Sequence, residues 1–376
     1  MKSKINYSKF SPIHNWKNGR KINVSKSFRI YGSVRFISYI LIRLLLLLTI
    51  ITFLYILFYS KQFQSFFNKN NKKKEFAINF KNAYIPYFMD IPDNNLNKAC
   101  PDNTKLLILI MTRIDAFKNR DGIRKTWLKD AVAGTITKFL IADSPSKIEL
   151  SKKEEANQKL EALKREKQLL QLEQMQNKDL IFLYGIEDSY ANLHFKWLAA
   201  LQWQQAFCPK TKFIMKTDDD TIVHLPRLNH WIDKKFSKEM EKNKAIYFGW
   251  IISGVGPIRD PKHKWYVSEN VYPGKSYPPY MQGATYVASR EAINAIIPFT
   301  NKVIGFNMDD VLFTGVLAEL ANVTRSDHKE MFRVGNGLDK EEKCEDRMPY
   351  VTALYGAAEL ENFKNIYTKL KTVKCP

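Results

Sequence analysis

Acidic residues are missing from the first 35 positions, which instead carry nine basic ones: Lys2, Lys4, Lys9, Lys17, Arg20, Lys21, Lys26, Arg29 and Arg35. Cysteine is scarce. The four present, Cys100, Cys208, Cys344 and Cys375, include no CxxC pair, which excludes a cysteine-based metal site of that type. Histidine runs out early, with none after His328, and no clustered His/Asp set exists to hold two metals, which excludes a two-metal phosphohydrolase. Long uncharged apolar runs are almost absent. The exception is Phe36 to Tyr59, whose inner part, Leu44 to Tyr59, is free of charge and dominated by Leu, Ile and Phe.

That run is long enough to span a bilayer, with Arg43 near its edge where a long side chain can snorkel. It begins too far in, and lacks a small-residue cleavage site, for a cleaved signal peptide. The lysines after it (Lys61, Lys69, Lys72 to Lys74) soften the charge asymmetry, but the bias favours a cytosolic N-terminus. The expected organisation is a cytosolic tail (1–35), a transmembrane signal-anchor (36–59), a stem (60–103) and a luminal body (104–376). Roughly half of the formal charge of +21 lies outside tail and anchor. For a luminal body this points to anionic donors, acidic glycans or a membrane surface rather than nucleic acid. All four cysteines fall on the luminal side and suit two disulfides, with three pairings open. The sequon at Asn322 is usable there, whereas those at Asn6 and Asn23 would be cytosolic and silent.

Along the body, Leu106 to Met111 reads as a buried parallel strand leading to a helix with Arg120, Ile123, Arg124 and Trp127. Arg120 and Arg124 share one helix face near its N-terminus, as an anion grip or simply as a solvated face. Strands are expected at Ile136 to Ile141, Asp179 to Leu183 and Phe213 to Met215, and an apolar helix at Leu193 to Phe207. Residues 147–178 read as an exposed helical insertion without chemistry. The alternation implies a mostly parallel central sheet flanked by helices, with ligands at the carboxyl ends of its strands.

One such end carries Asp218, Asp219 and Asp220. Carboxylates this close repel unless a divalent cation sits among them, so the triplet is either a metal and diphosphate site or an acidic surface turn. Aromatic residues in the Pro-rich loops around Trp265, Tyr266, Tyr277 and Tyr280 stack on sugar rings or plug the loops. Asp309 and Asp310 open an apolar helix, as helix caps or as functional carboxylates.

Taken in order, Arg120-x-x-x-Arg124-x-x-Trp127, Asp188-Ser-Tyr-x-Asn192 with Lys196, Lys216-Thr-Asp-Asp-Asp220, Lys264-Trp-Tyr-Val-Ser268, Tyr277-Pro-Pro-Tyr-x-x-Gly283-x-x-Tyr286 and Asp309-Asp310-Val311 resemble the Golgi β-1,3-glycosyltransferase family, over roughly residues 105–325. The resemblance implies a GT-A type nucleotide-sugar-binding fold, a UDP-sugar donor, Mn²⁺, and inverting transfer of a hexose, most simply galactose, to a glycan acceptor hydroxyl on a glycoprotein or glycolipid. It implies Asp310 as general base, Asp218 and Asp220 toward the metal with Asp220 in direct contact, and Arg120, Arg124, Asp218 and Asp219 toward the nucleotide. Trp265, Tyr266, Gly283 and Asp309 fall toward the substrates, and the enzyme would be a single-pass type II Golgi membrane protein.

Three features depart from the family. Asp309 stands where Glu is usual. Many relatives carry a late His as a further metal ligand, but the corresponding region, near Pro349 to Gly356, has none. Met281 stands where Cys is frequent, so disulfide pairing does not carry over. The missing His favours an alternative, a silent membrane-tethered glycan-binding or chaperone-like protein on the same fold; the intact triplet and Asp310 oppose it.

Overall fold

The computed structural model describes residues 40–55, 73–92, 99–144, 153–334, 338, 343–356 and 360–375. The chain forms two units, Met1–Asn70 and Asn71–Pro376. In the first, residues 40–55 form helix α1, within the expected anchor; residues 36–39 and 56–59 lie outside the described residues. Among the described residues no helix is long and apolar enough to cross a membrane. The tail with its two sequons also lies outside them.

The second unit is built on β1 (Lys73–Phe80), β2 (Ala83–Asp90), β3 (Leu106–Met111), β4 (Thr135–Asp143), β5 (Leu180–Glu187), β6 (Phe213–Asp218), β7 (Ile222–Val223) and β8 (Ile246–Gly249). A short ribbon, β9 (Ile251–Ile252) with β10 (Tyr280–Met281), precedes β11 (Thr285–Ser289) and β12 (Thr324–Asp327). The main sheet runs β1-β2-β5-β4-β3-β6-β11-β8-β12. Its centre, β5-β4-β3-β6, is parallel as expected. Beyond the centre, β1, β2 and β11 pair antiparallel with their neighbours while β12 pairs parallel with β8, so the sheet is mixed.

All of β3 is buried because both faces of the sheet are covered. Leu107, Leu109 and Met111 enter one core, Leu106, Ile108 and Ile110 the other. Each such side chain contributes about 1.5–3 kcal/mol. Helix α2 (Phe117–Lys125) follows β3, and α4 (Leu193–Phe207), apolar on most of its surface, fills the first core with Trp197, Leu198 and Leu201.

Two expectations change. Much of the stretch read as a stem belongs to the fold: β1 and β2 form a hairpin paired to β5, and Ile78, Phe80, Tyr87 and Met89 lie in the core. Period-two alternation is weak there because Tyr84 and Phe88 stand at exposed positions, so the outward face of β2 does not read as polar. The insertion forms α3 (Lys153–Asn177), but its C-terminal end is not an exposed appendage, since Leu170 and Glu173 are buried. The disulfides pair Cys100 with Cys208 and Cys344 with Cys375.

Candidate active site

Strand alternation puts Ile214, Lys216 and Asp218 on one face of β6 and Phe213, Met215 and Thr217 on the other. Asp218 N–H donates to Ala284 O (2.9 Å) on the β11 side and Asp219 N–H to Met111 O (3.1 Å) on the β3 side. Thr221 N–H then closes a turn on Asp218 O (3.2 Å), so three carboxylates leave one strand end in different directions.

Lys216 is buried within this acidic group. Its Nζ lies 3.1 Å from Asp309 and 3.4 Å from Asp218, and donates to Gly283 O at 2.6 Å. Burial works against its charge, but Asp218, Asp309 and Asp310 outweigh it and hold the ammonium above its ordinary pKa. Asp309 and Asp310 open a wide π-helical turn, Val311–Val316. Asp310 Oδ1 accepts from Val311 N–H (2.8 Å), so the helix-cap reading is correct for that oxygen. The other oxygen lies against Gly283, where a Cβ would come within 2.7 Å of it; only glycine permits that approach.

Burial, reinforced by Asp309 and opposed by Lys216, pushes Asp310 up to about 6. Burial likewise pushes Asp218 up to about 7, against the pull of Lys216 and with the neighbouring aspartates adding to it, although 40% of its side chain stays open to solvent. Asp219 is occupied, accepting from Thr112 Oγ1 (2.5 Å) and Asn119 Nδ2 (3.4 Å). Asp220 differs. Burial and then Asp219 raise its pKa, and its Oδ1 is buried with no hydrogen-bond partner among the described residues. A buried, orphaned carboxylate oxygen at this strand end is what a divalent cation would complete, so Asp220 fits that role. No group of three or more His, Cys, Asp or Glu able to hold a metal occurs among the described residues. The region where a late His was sought contains the strand Ala353–Tyr355, paired with β7 directly after the triplet, and supplies apolar packing there.

The expected anion grip is not what the structure presents. Arg120 is fully buried and held by both oxygens of Glu173 (2.8 Å each), while Arg124 is bound by Asp179 (2.8 Å twice) and Glu173 (2.7 Å). Neither points a free donor outward, because α3 supplies a carboxylate that sequence spacing could not place. Trp265 is half-exposed in the long loop before β10. Asn307 Nδ2 donates to Lys264 O (3.4 Å), which ties this loop to the Asp309 segment, and Lys264 Nζ sits 4.6 Å from the Tyr190 ring. Tyr266 bridges to Ile258 within the same loop. Asn322 is exposed in a turn at φ 53°, reachable for glycosylation.

Lys216 and Glu173 were the residues that sequence reading left without a role. A lysine two positions before an acidic triplet in an apolar strand was a usable signal for the first; nothing local marks the second. A cavity of about 460 Å³, lined in part by His224, Arg347 and Lys374, includes none of these carboxylates.

Residues 118–329 match the family described as Galactosyltransferase. The chain is 30% identical to lactosylceramide 1,3-N-acetyl-beta-D-glucosaminyltransferase B of Danio rerio, over 72% of this chain and 65% of that protein. It is 28% identical to human N-acetyllactosaminide beta-1,3-N-acetylglucosaminyltransferase 2 (70% and 61%) and 32% identical to mouse beta-1,3-galactosyltransferase 1 (56% and 59%). The match thus spans less than two thirds of these relatives' lengths. The solved galactosyltransferase LgtC is 11% identical, over 71% of this chain and 97% of that one, with a TM-score of 0.34.

Proposed function

We propose, for a chain that belongs to the galactosyltransferase family, that this site moves a hexose, galactose in the simplest case, from a UDP-sugar to a glycan hydroxyl, forming a β-1,3 linkage with inversion. The observation that carries the reading is the Asp310 carboxylate, partly buried, raised to about 6 and set against Gly283 beside the Lys216–Asp218 end of β6. A base poised just below neutral pH is ionised when needed and still basic enough to accept a proton.

Asp310 takes the proton from the acceptor hydroxyl as its oxygen bonds the anomeric carbon. The bond from that carbon to the UDP oxygen breaks on the opposite face, and one displacement inverts the centre. Lys216 keeps Asp309 and Asp218 paired around the base. A divalent cation, Mn²⁺ by the resemblance, would be held on the protein side by Asp220 and, when bound, neutralises charge on the departing diphosphate. The GT-A type assignment belongs to this reading, as does a type II Golgi enzyme anchored through residues 36–59 and acting in protein or lipid glycosylation. The acid-free basic N-terminus supports that topology, and the two disulfides support an oxidising lumen.

The test is donor turnover by the full chain in detergent, with UDP-galactose, UDP-N-acetylglucosamine and UDP-N-acetylgalactosamine, Mn²⁺ or EDTA, and β-galactoside and N-acetylhexosaminide acceptors. One sugar should be transferred with Mn²⁺ only. Asp310→Asn should lower kcat by about 10²–10⁴-fold without changing the melting temperature. A folded chain that neither binds nor turns over any donor would instead be the silent scaffold that the missing late His favours.

A further inference from the structure

The three residues after β3 are clamped by buried charged groups. Lys196 Nζ donates to Thr112 O (2.5 Å) and pairs with Asp188 Oδ1 (2.7 Å). The other Asp188 oxygen accepts from Ile114 N–H (2.7 Å). Arg120, fixed by Glu173, donates to Arg113 O (2.8 Å) and Ile114 O (3.3 Å). Burying polar side chains such as Lys196, Arg120 and Glu173 is costly unless their geometry is closely satisfied, so this segment is held in one conformation. Its first residue, Thr112, donates to Asp219 of the triplet (2.5 Å).

What the clamp holds out is Arg113. Its side chain is 76% exposed and pairs with Asp115 at 2.9 Å, itself 59% exposed. Exposed pairs of this kind contribute little and exchange readily for a stronger anion, above all a phosphate that a guanidinium grips with two parallel hydrogen bonds. Arg120 and Arg124 are already committed to Glu173 and Asp179. Arg113 directly follows Thr112, whose hydroxyl touches Asp219, so it leaves the chain next to the triplet.

We propose that Arg113 binds the diphosphate of the nucleotide donor, taking the part expected of Arg120 and Arg124, and that Arg120 and Glu173 are positioning residues for it. The proposal rests on the UDP-sugar reading of the site. The ligand class is a nucleoside diphosphate, recognised by charge and not through its base.

Calorimetric titration of UDP and of uridine onto the full chain with Mn²⁺ tests it. Arg113→Gln should weaken UDP binding tenfold or more, less so as salt rises, with uridine binding and melting temperature unchanged. Asp115→Asn should leave UDP binding equal or tighter. Glu173→Gln should weaken UDP binding, and the double variant with Arg113→Gln should be no weaker than Arg113→Gln alone. Unaltered UDP binding by Arg113→Gln, or equal loss of UDP and uridine, overturns the diphosphate contact. Additive losses in the double variant overturn the positioning role. A wild-type chain that binds no UDP overturns the reading of the site, whatever Arg113 does.

Discussion

Lys216 stands two residues before the acidic triplet, enclosed by protein, with its ammonium shared among Asp309, Asp218 and the Gly283 carbonyl. It is the cation that opposes the upward shifts of Asp310 and Asp218. The sign of its removal follows: without the cation the carboxylates hold protons more tightly, and their pKa values rise. Transfer by the wild type should fall as pH drops through about 6, where Asp310 becomes protonated. In Lys216→Gln that acid limb should move to higher pH, read from kcat/KM between pH 5 and 9. A limb that stays in place would mean that Asp310 is not the group whose ionisation the profile reports. Asp310 itself was visible in the sequence as a carboxylate opening an apolar helix. Its neighbour Gly283 was expected toward the substrates through the resemblance, but the contact that requires a glycine there spans the gap between the β10–β11 segment and the π-helical turn, which the sequence does not record.

At the scale of elements, α3 binds the β3 exit through one residue. Glu173 meets Arg120 and Arg124 on α2, and Arg120 carries the contact on to the carbonyls of Arg113 and Ile114. Breaking a buried pair from one side leaves the partner charge stranded, which costs about 3–5 kcal/mol. Arg120→Met is therefore expected to lower the unfolding free energy by about that amount, measured by urea denaturation. A loss under about 1 kcal/mol would show that Arg124 satisfies Glu173 unaided. Heptad-like leucines identified this helix in the sequence, but not what its last turns touch. Most of its residues are polar, and the buried Glu173 looks like the solvated ones around it.

Across the whole molecule, the β1–β2 hairpin closes one edge of the sheet and buries Ile78, Phe80, Tyr87 and Met89 against the core that includes α4. A chain shortened to begin at Asn71 should fold and melt cooperatively. One beginning at Lys105 should not, having lost these four side chains and the Cys100–Cys208 link across 108 residues. Such a link contributes about 4–5 kcal/mol in the chain-entropy picture. Circular dichroism melts of both chains decide the matter; equal melting would return residues 73–90 to the role of a stem.

The sequence by itself determined the features that depend on neighbours along the chain. A six-residue apolar run read as a strand buried on both faces, three aspartates fell at the end of another strand, and Asp309 and Asp310 stood at the start of an apolar helix. Four cysteines set the number of disulfides. Tertiary structure alone decided which charges meet: that Arg120 and Arg124 are spent on Glu173 and Asp179, that Lys216 is shared among carboxylates from two segments, and that Arg113 keeps an exposed partner, Asp115. It also decided the antiparallel pairing of β1, β2 and β11 and the inclusion of the hairpin. Strand and helix formation follow from local periodicity, which sequence records. Ion pairing depends on distances of a few ångströms between residues such as Arg120 and Glu173, 53 positions apart, or Arg124 and Asp179, 55 apart, and only the packed chain sets those distances.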